Sequence, residues 1–163
     1  MLKTATKTVA AAFALSLLAS AASAQTAGAF EKKHYNYNEW AKGRFAEVVT
    51  VKNPGTWIFL GGIGPEQEGD GKIVHKGDFY QQCKYAFMKI KKLLDAHGAT
   101  LRDVAKTTVY MTDIRHFAEW GKCRSEEMAG FNADVPASTL LNVSQLAWPD
   151  MLVEIDVIAV TAK

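Results

Sequence analysis

The sequence contains few of the residues that build metal or redox centres. Its 163 residues include two cysteines, Cys83 and Cys123, and four histidines, and none of them has a ligand spacing such as C-x-x-C or H-x-x-x-H. Because structural zinc sites usually show such spacings, we expect no metal ion and no cofactor. The two cysteines have two interpretations that the sequence leaves open, a disulfide bond or two buried free thiols.

The chain also lacks an apolar run long enough for a membrane anchor. Its apolar stretch at residues 9–18 is shorter than the roughly 20 residues that a membrane-spanning helix needs. The stretch follows Lys3 and Lys7 and precedes Ala22-Ser23-Ala24, which is the pattern of a cleavable signal peptide. We therefore predict a signal peptide at residues 1–24, a periplasmic or secreted protein, and no membrane association after cleavage.

Neither sign of charge dominates. The full chain has 19 Lys and Arg residues and 17 Asp and Glu residues. Residues 1–24 hold two of the lysines and no acid, so removal of this segment makes the two signs equal. Because proteins that bind nucleic acid usually present a basic surface, we expect no nucleic-acid partner.

The remaining chain predicts a short arm followed by one α+β domain. Residues 25–43 show no clear hydrophobic period and are interpreted as an extended N-terminal arm, and the domain occupies residues 44–163. Two β-rich runs at 45–52 and 56–60 flank a turn and predict a hairpin. The other predicted elements are strands at 73–74, 104–111, 139–143 and 152–160, a helix from a cap at Asp78 to Gly98, and a helix at 115–129.

The last strand indicates a second copy of the chain. Its period of two places Val153, Ile155 and Val157 on one face and Glu154, Asp156 and Ile158 on the other. Two helices cannot cover both faces of a six-stranded sheet, so we expect the second face to meet another subunit. Two acids on one partly buried face favour a raised pKa and an acid-base role, and an intersubunit ion pair is the open alternative.

Several sequence segments, in their order along the chain, resemble one family. Gly62 to Pro65, "LLDAHGATLRDVAKTTVYMTD", "VPAS" and "LVEIDVIAV" together resemble the RidA/YjgF family of reactive-intermediate deaminases, formerly labelled L-PSP endoribonucleases, over roughly residues 44–161. The resemblance implies a chorismate-mutase-like α+β fold, with a six-stranded mixed sheet and two helices packed on one face. It also implies a homotrimer that binds a small molecule in clefts between subunits.

The resemblance also assigns site positions, and most of them depart from the family pattern. Deaminases of this family show P-A-R-S, whose arginine holds the substrate carboxylate, where this chain has Ser138. Three further substrate-binding positions are Phe45, Gly61 and Gly121, where the family has tyrosine, serine and asparagine. The catalytic glutamate of the last strand is retained as Glu154.

The missing arginine leads to two hypotheses. Loss of two hydrogen bonds to a charged group removes on the order of 3–5 kcal/mol of binding free energy, so simple amino-acid-derived imines are expected to be poor substrates. The first hypothesis is an imine or enamine deaminase of altered specificity, and the second is a non-catalytic small-molecule-binding or chaperone-like trimer. Arg44, Lys106 and Arg124 are the candidates that could supply a cation instead.

Overall fold

The computed structural model describes residues 28–162. The predicted signal peptide therefore lies outside the described residues. The strands are β1 (Glu31–Tyr35), β2 (Val48–Lys52), β3 (Trp57–Ile63), β4 (Val104–Met111), β5 (Ala137–Asn142) and β6 (Val153–Val160), and the helices are α1 (Phe79–Asp95) and α2 (Phe117–Glu127). Short 3-10 turns cover Glu39–Ala41, Leu101–Asp103 and Ile114–His116.

The six strands form two hydrogen-bonded sheets. β1 and β2 make an antiparallel pair, and the larger sheet has the order β3-β6-β4-β5, in which only β4 and β5 run parallel. The two sheets meet at a parallel bridge between Ala46 and Ala137, where the Ala46 N–H donates to the Pro136 carbonyl at 3.0 Å. The prediction of an α+β fold with two helices is confirmed, but the strands form two sheets rather than one six-stranded sheet. The predicted strand at 73–74 is only an isolated bridge between Glu66 and Ile73, and β1 is the sixth strand.

One prediction for the N-terminal part was wrong, and the predicted arm contains more regular structure than its sequence indicated. The runs around β2 and β3 do not form a hairpin, because β2 pairs with β1 and β3 pairs with β6. The predicted arm at residues 25–43 contains β1 and a 3-10 turn, and so it is in part a strand of the domain. The segment "EKKHY" of β1 has no alternation of apolar and polar residues, which is why a period of two did not reveal it.

Helix α1 follows its sequence pattern closely. The Asp78 side chain accepts a hydrogen bond from the Gln81 N–H at 3.0 Å, and Gly98 ends the segment with a φ of +70°. Its apolar stripe is buried against β6 and β3, and the fully buried members are Phe79, Cys83, Ala86, Phe87, Ile90 and Leu94. This packing covers one face of the larger sheet.

Helix α2 packs beside α1 and is bonded to it. Asp113 caps the 3-10 turn that leads into α2, with its side chain accepting from the Arg115 N–H at 2.9 Å. Trp120 and Cys123 are buried, and Cys123 forms a disulfide bond with Cys83 of α1. The disulfide therefore answers the question that the sequence left open about the two cysteines. Among residues 28–162, no helix combines the length and apolar character that a membrane crossing requires.

Candidate functional site

A cleft opens at the edge of the helix-covered face, between β5, α2 and the turn before β2. Its volume is about 480 Å³, within the range of small-molecule sites. The residues that line it are Trp40, Arg44, Phe45, Phe117, Trp120, Gly121, Arg124, Ser138 and Leu140. Three of the five site residues named from the sequence, Phe45, Gly121 and Ser138, are thus brought together.

Parallel pairing of β4 and β5 fixes Ser138. Thr107 lies opposite Ser138 in the register, and the buried Thr107 hydroxyl donates to Ser138 Oγ at 3.0 Å. This bond occupies one acceptor position of the serine oxygen and leaves its own proton free to donate. Ser138 can therefore donate a hydrogen bond to a ligand, but it carries no charge.

Four residues of α2 line the cleft because they share one face of the helix. Phe117, Trp120, Gly121 and Arg124 follow the spacing i, i+3, i+4, i+7. A Cβ added to Gly121 would meet no atom within 4 Å, so packing does not demand glycine there and its missing side chain leaves open space. The same spacing is visible in the sequence of the helix predicted at 115–129. Trp120 is buried, whereas Phe117 is 56% exposed at the mouth of the cleft.

The cleft contains two cations and no acid among its described lining residues. Arg124 is partly buried, and its Nε has no hydrogen-bond partner within residues 28–162. Burial lowers the pKa of Arg124, and the nearby charge of Arg44 lowers it further. Neither arginine forms an ion pair in the described part of the chain. An arginine remains charged even so, and the cleft therefore attracts an anion.

The third candidate cation points elsewhere. Lys106 lies on the helix-free face of the sheet, where its ammonium group donates to Thr139 Oγ1. It lines a smaller cavity of about 340 Å³ together with Phe59, Gly61 and Asp156. Gly61, although named as a substrate-binding residue from the sequence, therefore lies away from Ser138 within one protomer.

Glu154 also lies on the helix-free face. Burial raises its pKa, and the charges of Glu66 and Asp156 raise it further. The carboxylate sits directly over Gly62, where an added Cβ would come within 2.1 Å of Oε1, so a side chain at this position would displace the carboxylate. Asp156 accepts a hydrogen bond from the Tyr110 hydroxyl at 2.9 Å, and this bond raises the pKa of Tyr110. The acid-base candidates and the cleft are thus on opposite faces of the same sheet.

The helix-free face carries exposed aromatic rings. Trp57 and Phe59 stack with ring centroids 6.3 Å apart, and they are 47% and 69% exposed. Leu141 of β5 is exposed as well. In residues 28–162, no group of three or more His, Cys, Asp or Glu residues is placed to hold a metal ion.

Comparisons with known proteins match this arrangement to one family. The family model described as Endoribonuclease L-PSP matches residues 37–161. A RutC family protein of Pyrococcus abyssi is 37% identical over 117 residues, which are 72% of this chain and 86% of that protein. A 2-iminobutanoate/2-iminopropanoate deaminase of Escherichia coli K12 is 28% identical over 106 residues, covering 65% of this chain and 80% of that protein.

A solved structure shows the same fold. The crystal structure of E. coli TdcF with bound serine superimposes with a TM-score of 0.59 at 27% identity. The match covers 66% of this chain and 82% of TdcF. The agreement extends over most of the domain that the sequence predicted.

Proposed function

The chain belongs to the RidA/YjgF family, and from that premise we propose that it is an imine or enamine deaminase of altered specificity. The observation that carries the proposal is the cleft beside Ser138, which holds two arginines without an acidic partner. In this cleft Arg124 supplies, from α2, the positive charge that β5 lacks. A charged hydrogen bond to a carboxylate contributes about 1.5–3 kcal/mol. One guanidinium can therefore recover much of the binding free energy that is lost because Ser138 stands where the family has arginine.

The proposal requires a second copy of the chain. Hydrolysis adds water across a C=N bond, moves a proton to the nitrogen and releases ammonia from the resulting carbinolamine. Glu154 suits the proton transfer, because a carboxyl group with a raised pKa holds and returns a proton more readily near neutral pH. Since Glu154 faces away from the cleft of its own protomer, Glu154 of one copy serves the cleft of another.

The helix-free face provides the surface for that assembly. The stacked rings of Trp57 and Phe59, together with Leu141, are apolar and exposed in the single chain. Burying them against another copy is favourable by roughly 25 cal/mol per Å² of apolar surface. A closed ring of three copies, in which the face of each copy meets the edge of the next, is the homotrimer we propose.

Export to the periplasm or the medium is part of the same proposal. The buried Cys83–Cys123 disulfide supports it, because such bonds persist mainly in oxidising compartments. Mass spectrometry of the N-terminus after expression in a bacterial host would test cleavage after Ala24. A mature protein that begins at Gln25 supports export, and an intact N-terminus in the cytosol contradicts it.

Ammonia release tests the catalytic part. 2-Imino acids can be generated in solution by an amino-acid oxidase, and their hydrolysis can be followed with and without the protein. We expect the protein to accelerate ammonia release from at least one member of a panel of carboxylated and neutral imines. No acceleration above the spontaneous rate on any member would refute deaminase activity.

One observation favours a second candidate, binding without turnover. The described residues that line the cleft include no Asp, Glu, His, Cys or Lys, so one protomer offers no group there that exchanges a proton near neutral pH. If the protein only binds, a ligand retained in the cleft is recovered chemically unchanged, and Glu154→Gln behaves like the wild type. Loss of a measurable turnover in Glu154→Gln would exclude this candidate.

A further inference from the structure

The walls of the Ser138 cleft are aromatic. Trp40 and Phe45 meet edge to face, with ring centroids 5.5 Å apart and an interplanar angle of 72°. Trp40 is 62% exposed, and Phe117 of α2, which also lines the cleft, is exposed as well. Large apolar rings left in contact with water around a cavity favour a planar apolar group between them.

The cleft carries only positive charge among its described lining residues. Arg124 is anchored on α2 next to the buried Trp120, and its buried Nε lacks a partner within the described residues. A buried polar group without a partner is costly, and a ligand oxygen placed there would satisfy it. Arg44 approaches from the turn before β2 and adds a second positive charge.

Within one protomer, the cleft is larger than the smallest substrates need. Small-molecule sites usually bury most of the surface of their ligands. A three-carbon acid would leave most of the 480 Å³ filled with water. Gly121 widens the cleft further, because nothing lies within 4 Å of the position where its Cβ would be.

We propose that this cleft selects aromatic 2-imino acids and their 2-oxo acid products. Arg124, helped by Arg44, binds the carboxylate, and Trp40, Phe45 and Phe117 enclose the aromatic ring. Ser138 donates a hydrogen bond at the base of the cleft. The inference rests on the proposed deaminase function and names its substrate class.

Calorimetric titration tests the selection without any turnover. The mature protein is titrated with phenylpyruvate, with pyruvate, and with methyl phenylpyruvate, which keeps the ring and loses the charge. We expect phenylpyruvate to bind at least about tenfold more tightly than either of the other two. Equal affinity for pyruvate would overturn the aromatic part, and equal affinity for the ester would overturn the role of the cations.

Two substitutions test separately whether the cations bind the carboxylate and whether the aromatic wall binds the ring. Arg124→Gln is expected to remove the preference for phenylpyruvate over its ester, and Phe117→Ala the preference over pyruvate. Arg44→Gln is a second test of the charge, because Arg44 is exposed and its replacement leaves packing unchanged. If Arg124→Gln does not fold, an unchanged preference in Arg44→Gln overturns the role of the paired cations.

Matched controls lie outside the cleft. Arg115→Gln removes an exposed arginine that pairs with Asp113, and Trp148→Ala removes an exposed ring from another surface. Both are expected to bind phenylpyruvate like the wild type, and a loss equal to that of Arg124→Gln or Phe117→Ala would overturn the assignment. Selective binding without ammonia release would refute the deaminase proposal alone, whereas ammonia release without aromatic selection would refute this inference alone.

Discussion

The two faces of the larger sheet carry opposite chemistry. On the helix-covered side, the cleft beside Ser138 holds Arg44 and Arg124 and no described acid. On the helix-free side, Glu154 and Asp156 lie with Tyr110, Lys106 and exposed aromatic rings. One side can attract an anion and the other can hold a proton, but a β-sheet separates them. If the chain is the deaminase that we propose, a complete catalytic site needs the helix-free face of one copy against the cleft of another.

The largest expected effect comes from removing the proton carrier. Glu154→Gln keeps the size of the side chain and abolishes its acid-base function, so we expect the rate of ammonia release to fall by about 10²–10⁴-fold. Asp156→Asn, two residues along the same face, is the matched control and is expected to retain most of the activity. An equal loss of ammonia release in the two variants would contradict a specific catalytic role of Glu154.

Substitutions on the two faces of the sheet are expected to change the stability of the protein by different amounts. Ile155 is fully buried toward the helices, and its neighbour Asp156 faces the other way. We expect Ile155→Ala to lower the free energy of unfolding by about 2–5 kcal/mol, because it leaves a cavity. Asp156→Ala removes mainly the hydrogen bond from Tyr110 and is expected to cost about 1 kcal/mol. Urea denaturation of both variants measures the contrast, and a reversed order would contradict the assignment of the faces.

The disulfide ties the cleft helix to the rest of the domain. It joins α1 to α2 across 40 positions of sequence, and closing a loop of that length stabilises the folded state by about 3–4 kcal/mol in the chain-entropy model. The double variant Cys83→Ala/Cys123→Ala is expected to unfold at correspondingly lower urea concentration. Treatment with a reductant should lower the urea midpoint of unfolding of the wild type and leave that of the double variant unchanged. An equal shift of both midpoints would show that the stabilisation does not come from the disulfide.

The smallest effect is the pH dependence of stability that Glu154 contributes from the helix-free face. Burial holds the folded pKa of Glu154 above the ordinary value of 4.5 for a glutamate, so the unfolded chain ionises first as the pH rises. Glu154 therefore lowers stability above about pH 4.5, and the full penalty is reached once the pH exceeds the folded pKa. Glu154→Gln should exceed the wild type in stability at pH 7 by less than about 1 kcal/mol and match it below pH 4. A difference that persists at pH 3 would contradict this cause.

The sequence predicted the regular parts of the fold because their periods are strong. The capped helix α1 and the alternation in β6 were visible from apolar spacing alone. The partner of β2 was not, because β1 has a polar sequence and its pairing is a long-range contact that no local pattern encodes. The resemblance gave the position of Ser138, and two of the three candidate cations, Arg44 and Arg124, line the same cleft.

The cleft itself was only partly predictable. Phe45, Gly121 and Ser138 lie far apart in the sequence and were grouped only through the family pattern. Arg124 was one of three candidate cations, and its place beside Ser138 depends on how α2 packs against β5. The helical spacing of Phe117, Trp120 and Arg124 shows that they share one face of α2. Whether that face lines a cleft or the core depends on how α2 packs in the folded domain.

The most direct test of the shared site uses two variants that are each expected to be inactive, Glu154→Gln and Arg124→Gln. They are co-expressed with different affinity tags, and mixed trimers are purified through both tags. Each mixed trimer contains one cleft with an intact Arg124 next to an intact Glu154, so ammonia release should return to about a third of the wild-type rate. Mixed trimers as inactive as the parent variants would contradict a site shared between copies.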